Sequence, residues 1–179
     1  MNPHGTLVSD IEGNNLLYKI TTMHCGVHIN PFELKEYRYG PDEIQGYLDQ
    51  LAASCCVVGH NFKGFDLLAL RKLFGFEFPG FCFDTLVLSR LLNPERKAHS
   101  LEYWGYYLKF HKDAFGKTAD WSVFTKEMLE YCAQDVRVNA VLFLYFLHRL
   151  GWADWFGVDA RELKRLAEAI RRGDLEIVK

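Results

Sequence analysis

The sequence predicts an α/β fold, a mixed five-stranded sheet flanked by helices. Two observations predict it. Period-2 apolar patterns come first, strand-like and helical stretches then alternate, and helical periodicity takes over toward the C-terminus. The 179 residues are 49% hydrophobic, 15% aromatic and 25% charged, which suits a folded chain with an aromatic-rich core. We expect a single domain over 1–179, with a core of about 6–150 and a C-terminal amphipathic helix at about 159–172.

The first element is T-L-V-S-D-I-E, Thr6–Glu12. Its alternation sets Leu7, Ser9 and Ile11 on one face of a strand and Val8, Asp10 and Glu12 on the other. Strand-like segments around Met23–Ile29 and Glu33–Tyr39 follow before Gly40-Pro41, and three consecutive strands predict an antiparallel meander. Pro41 suits a helix start, and the stripe Ile44, Tyr47, Leu48, Leu51 predicts a helix over Pro41–Ala53. Cys55–Gly59 is a short apolar run, the pattern of a strand buried on both faces, so the helix before it is a crossover.

After His60-Asn61, the residues Phe65, Leu68, Leu73 and Phe74 predict another helix. Pro79-Gly80 marks a turn, with a fifth strand near Phe81. Helices are then predicted over Asp84–Leu92, Ser100–Leu108, about Thr125–Leu150 and Asp159–Arg172.

The formal net charge of −2 argues against a protein that grips long duplex tracts, which needs a basic excess to displace counterions. An acidic cluster that binds divalent cations would still accept a phosphate, because the cations invert the local field. The five cysteines, Cys25, Cys55, Cys56, Cys82 and Cys132, form no Cys-x-x-Cys pair and are odd in number, which points to a reducing compartment. The Met1–Gly5 segment lacks a signal-peptide layout, and no apolar run approaches the roughly 20 residues of a membrane span. The expectation is a soluble cytoplasmic protein with no membrane partner.

Asp10 and Glu12 are two apart on a predicted strand, so both project from one face. An isolated D-x-E is most often a solvated strand face, but this strand reads as a buried one, where paired carboxylates call for a cation. Tyr131 and Asp135, four apart on a predicted helix, stack on one face about 6 Å apart. Taken alone they describe an amphipathic helix, just as Asp66 alone describes a carboxylate favoured at a helix N-terminus.

The combination is more specific. D-I-E, then H-N-F-K-G-F-D, then Y-C-A-Q-D resemble, in order and spacing, the three exonuclease motifs of the DEDD superfamily. The tyrosine of the third motif is similar to the branch typified by proofreading domains, since the other branch has histidine where this chain has Glu130. Leu7–Glu12, His24-Cys25-Gly26-Val27, Asp84–Leu91 and His99–Gly105 further resemble the exonuclease domain of phage-type family A DNA polymerases. The segment Asn93–Ala98 is shorter than its counterpart there, and no polymerase segment follows.

This resemblance implies a ribonuclease H-like fold and a stand-alone 3′-5′ exonuclease acting on single-stranded or frayed DNA ends and releasing nucleoside 5′-monophosphates. It implies that Asp10, Glu12, Asp66 and Asp135 bind two divalent cations, Mg²⁺ or Mn²⁺, which favour oxygen ligands. The sequence shows no thiolate or imidazole cluster for zinc. Tyr131 would orient the attacking water, and Asn61 and Phe65 would border the terminal nucleotide. From the residues alone, Phe62 and Phe65 read equally well as core. Two other functions share these features: a 3′-5′ exoribonuclease, and a non-catalytic adaptor or proofreading subunit that binds a separate polymerase or replication protein.

Several further features read as structural. His24 and His28 are four apart on a strand, too far for one ion. His99-Ser100 and Asp84 read as a loop residue and helix caps. Tyr103, Trp104, Tyr106 and Tyr107 have the spacing of a core face, with base stacking as the alternative. Leu163, Leu166, Ala167 and Ile170 make a stripe that either packs on the domain or docks a partner.

Overall fold

In the computed structural model, which describes residues 2–111 and 120–178, six strands form one sheet. They are β1 (Thr6–Gly13), β2 (Met23–Asn30), β3 (Lys35–Tyr39), β4 (Cys56–Gly59), β5 (Phe81–Asp84) and β6 (Glu176–Val178), in the order β5-β4-β1-β2-β3-β6. β1, β2 and β3 are the expected antiparallel meander, while β4 and β5 join β1 in parallel. The expected count of five strands is corrected by β6, which pairs in parallel with the free edge of β3. Three residues at the end of the chain, two of them exposed, are too few to show a period.

The helices are α1 (Ile44–Ala53), α2 (Asp66–Phe74), α3 (Thr85–Leu92), α4 (Leu101–Tyr107), α5 (Lys126–Leu150) and α6 (Ala160–Arg172). The helix expected from Pro41 begins later, at Ile44, after a 3-10 turn over Pro41–Glu43 in which Gly40 N–H donates to Glu43 Oε2. Side-chain oxygens cap four starts: Asp84, Ser100, Thr125 and Asp159 each accept from first-turn amides. Gly75, Gly151 and Gly173 end α2, α5 and α6 in left-handed backbone, the conformation glycine adopts without strain.

Apolar packing lies on both faces of the sheet. Val8, Val27, Ile29 and Val58 pack under α5, where Val136, Ala140, Phe143 and Leu147 are buried. On the other face Ile11, Met23 and Val57 meet Tyr47, Leu48 and Leu51 of α1 and Leu70 of α2. β1 therefore alternates as expected, with Asp10 and Glu12 on the face that carries Val8 and looks toward α5. Leu163, Leu166 and Ile170 of α6 are buried in the α5 cluster, so packing on the domain is what this stripe does.

Two buried polar assemblies hold the layers in register. Glu36 on β3 is fully buried and accepts from Arg38 Nε at 2.6 Å and from Arg137 Nε and Nη2 at 2.7 and 3.0 Å, tying α5 to the sheet. On the opposite face His28 stacks on Tyr47 at 4.1 Å, with its Nδ1 3.0 Å from Ser9 Oγ and its Nε2 3.1 Å from the Tyr47 carbonyl. Tyr47 Oη is 2.7 Å from the same Ser9 Oγ. Burial pushes the His28 imidazole down to about 4, so the ring is neutral, donating through Nε2 and accepting at Nδ1. Both histidines set aside above are thus structural; His24 Nε2 bonds the Trp121 carbonyl at 3.0 Å. None of the described helices is long and apolar enough to cross a membrane.

Candidate active site

Three elements bring the predicted carboxylates together. Asp10 and Glu12 stand on β1, the central strand next to β2, where both are partly buried. Asp66 opens α2 with 2% of its surface exposed and accepts from the Ile11 amide at 3.2 Å, so the second motif is pinned to the first by a buried hydrogen bond. Tyr131 and Asp135 come from α5, which lies over the same face; Asp135 is 5% exposed and Tyr131 is partly buried.

The electrostatics report the convergence. Burial pushes the Glu12 carboxyl well above the usual carboxylate range, and the neighbouring Asp10, Asp135 and Asp66 push it further in the same direction. Burial also raises Asp66, followed by Asp10, while the Ile11 amide pulls it back. Glu12 and Asp66, both pushed up by burial and by the carboxylates beside them, make with Asp10 and Asp135 an oxygen donor set for a hard divalent cation. By this test the residues present fit a divalent metal.

The loop between β4 and α2 is shaped by its own sequence. A Cβ on Gly59 would collide with the Phe62 ring, so glycine lets the chain turn tightly into the second motif. Asn61 follows in left-handed backbone at φ 63°, and its carbonyl accepts from the Gly64 and Phe65 amides. Asp84 fastens this loop: beyond capping α3 through Leu86 N–H at 3.0 Å, it accepts from Asn61 N–H and Lys63 N–H, both at 3.1 Å. The cap reading of Asp84 holds, and it has this second task, which sequence spacing does not reveal.

Beside Glu12 opens a cleft of about 410 Å³ lined by Glu12, Gly13, Asn14, Asn15, Leu16, Phe65 and Trp121. Phe65 is thus partly exposed on a wall of the site, while Phe62 is fully buried in the core. Asn61 is exposed and does not line this cleft. Leu16 and Trp121 are wall residues that sequence reasoning missed. Trp121 meets the Tyr131 ring edge-on, centroids 6.0 Å apart, and only the folded chain brings the two rings together this way. Of the Tyr103–Tyr107 cluster, Trp104 is core, whereas Tyr103, Tyr106 and Tyr107 are exposed and the Arg96 guanidinium lies 4.0 Å over the Trp104 ring.

The mixed sheet presents carboxylates to a cleft at the end of β1, an arrangement suited to metal-dependent hydrolysis. The chain belongs to the 3′-5′ exonuclease family, whose model matches residues 9–150. It is 35% identical over 180 residues to the DNA-directed DNA polymerase of Enterobacteria phage T3, an alignment covering 76% of this chain and 26% of the polymerase. The chain thus spans about a quarter of the length of that relative. Among solved structures, Brucella melitensis NrnC superposes with a TM-score of 0.63 at 20% identity, covering 94% of this chain and 82% of that one. The catalytic core of RRP6 from Trypanosoma brucei gives a TM-score of 0.60 at 18% identity, covering 97% and 46%. NrnC is also known with bound Mg²⁺ and bound to pGG. The resemblance to DEDD exonucleases and to phage-type polymerase exonuclease domains is therefore borne out.

Proposed function

We propose that this chain removes nucleotides from the 3′ end of DNA, single-stranded or frayed, and releases nucleoside 5′-monophosphates, with Asp10, Glu12, Asp66 and Asp135 holding two divalent cations, Mg²⁺ or Mn²⁺. The observation that carries this reading is that Asp10, Asp66 and Asp135 gather around Glu12, whose carboxyl they push up, beside an open, aromatic-walled cleft. When bound, the cations supply activation of water and stabilisation of the leaving oxygen. Tyr131 orients the attacking water through its phenol, and tyrosine's ordinary pKa near 10 suits orientation better than proton abstraction. Phe65, with Trp121 beside it, offers the terminal base an apolar face for stacking. Asn61 contributes by shaping the loop ahead of Asp66, bound as it is to Asp84.

The 35% identity to a DNA polymerase supports DNA over RNA as substrate. The test is digestion of 5′-labelled DNA and matched RNA oligonucleotides with Mg²⁺, Mn²⁺ or chelator. A metal-dependent ladder shortening from the 3′ end of DNA is expected, with Asp10→Ala inactive and Tyr131→Phe slowed roughly 10- to 1,000-fold. Faster cleavage of RNA would move the substrate to the exoribonuclease reading. Digestion by Asp10→Ala at the normal rate, or an unchanged rate for Tyr131→Phe, would refute the corresponding role. Failure on both nucleic acids would leave the adaptor that binds a separate polymerase.

A further inference from the structure

Away from the carboxylate centre, α4 and the second half of α5 gather tyrosines and arginines that the proposed reaction does not use. The Arg96 guanidinium lies 4.0 Å from the Trp104 ring centre, 4.4 Å from that of Tyr107 and 5.4 Å from that of Tyr103. The Tyr107 and Tyr145 hydroxyls are 3.5 Å apart, and Arg149 Nη1 donates to the Tyr145 hydroxyl at 3.0 Å. Two guanidiniums thus flank one pair of phenols. None of the ion pairs among the described residues engages Arg96 or Arg149, so both keep donors for an outside acceptor. Tyr106 and Tyr107 are 62% and 51% exposed, so much of each ring stands in solvent. The cluster is joined to the centre through Gln134, the residue before Asp135, which donates to the His111 carbonyl at 2.9 Å. The His111 ring in turn lies 4.9 Å from the Tyr106 ring, centre to centre. Gln134 and Tyr145 are three turns apart on α5, so they share a face and stand about 16 Å apart along the axis.

We propose that Arg96, Tyr106, Tyr107, Tyr145 and Arg149 form a second nucleic-acid contact, a surface that holds a single strand several nucleotides away from the end being cleaved. It rests on the reading of the chain as a nuclease and adds a binding surface to it. Single strands are held by cations that meet phosphates and by aromatic rings on which bases stack, and this patch offers both. Each guanidinium presents paired donors to phosphate oxygens, and the phenol hydroxyls between them add neutral ones. Arg96 is already held against Trp104, so it loses little side-chain freedom on binding. An acidic peptide would engage the arginines and leave the open tyrosine rings unused, whereas single-stranded nucleic acid engages both. A duplex keeps its base faces stacked inside and gains only the phosphate contacts. The separation from the centre sets a length rule. Even at the stacked rise of about 3.4 Å per nucleotide, a twelve-nucleotide strand anchored at the centre passes over the patch, while a dinucleotide ends short of it.

The test has a binding arm and a kinetic arm. Binding of a 5′-labelled twelve-nucleotide oligothymidylate to the full chain is followed by fluorescence anisotropy across a salt series, in chelator so that metal-dependent hydrolysis stops. Arg149→Gln should weaken binding about threefold or more at low salt and lower the slope of log K against log salt by about 0.7, the loss of one phosphate contact. Tyr106→Ala should weaken it about fivefold or more, the loss of one stacked base. Both positions are exposed, so the fold is expected to survive either change. Arg161→Gln, which removes an arginine with 96% of its side chain exposed on α6, should leave binding unchanged. In Mg²⁺ the first two variants should raise KM for the twelve-nucleotide strand by the same factors and leave its kcat, and the KM of a thymidine dinucleotide, unaltered. No binding by the wild type, equal weakening by Arg161→Gln, equal KM changes on both lengths, or displacement by polyglutamate as effective as by unlabelled strand would each overturn the proposal. The two arms separate the readings. A chain that binds the strand through these residues and digests neither DNA nor RNA overturns the nuclease reading and keeps the surface, whereas digestion with a KM indifferent to both variants keeps the nuclease and overturns the surface.

Discussion

Replacing His28 with glutamine should flatten the acid side of the stability curve, because this buried ring is neutral in the folded chain and free to charge when unfolded. The group falls from 6.5 unfolded to about 4 folded. Between those values the unfolded state binds the extra proton, so stability rises with pH and is lost as pH falls from about 6.5 to about 4. The 2.5-unit gap corresponds to about 3 kcal/mol in full, of which about 2 kcal/mol is already lost at pH 5. For a chain of this size that is roughly 4–8 °C in melting temperature. The assay is urea unfolding of both proteins at pH 7, 6 and 5. The glutamine variant starts less stable, since it loses the stack on Tyr47, but its curve should fall less by about 2 kcal/mol between pH 7 and pH 5. The acidic centre titrates in both proteins, so its contribution cancels in the difference. Parallel curves, with a gap that stays constant within about 0.5 kcal/mol, would refute the reasoning.

Three further outcomes are expected. Glu36→Ala leaves Arg38 and Arg137 partly buried without their shared carboxylate and should cost about 3–5 kcal/mol in urea unfolding, whereas an exposed pair such as Arg71–Glu77 should cost under about 1 kcal/mol. Glu12 and Asp66 bind protons more tightly folded than unfolded, so without metal their contribution to stability falls as pH rises above the ordinary carboxylate range. Mg²⁺ should therefore raise the melting temperature more at pH 8 than at pH 5, and in chelator at pH 8 Asp10→Asn should melt higher than the wild type; a lower melting point would contradict the repulsion. Phe65→Ala should raise KM for a DNA end about 5- to 100-fold, the range of losing one stacked base, with a smaller change in kcat; an unaltered KM would remove Phe65 from the substrate wall.

Local pattern alone decided the strand β1 and its two faces, because a period of two needs no partner to be visible, and it set Asp10 and Glu12 on the side that α5 covers. The same held for the long helix, whose capping Thr125 and terminal Gly151 lie in the sequence itself. The order of the three motifs was enough to relate the chain to DEDD exonucleases. Tertiary structure alone decided what depends on residues far apart. Such features are the sixth strand on β3, the burial of Glu36 between two arginines, Asp84 holding the Asn61 loop, Trp121 beside Tyr131, and Cys132 against the Asp10 carbonyl. The physical reason is common to all of them. Periodicity and capping are set by neighbours within one or two turns, but burial, pairing and metal-ligand geometry are properties of a point in space where distant segments meet, and a three-residue edge strand or a lone thiol carries no local signal of that meeting.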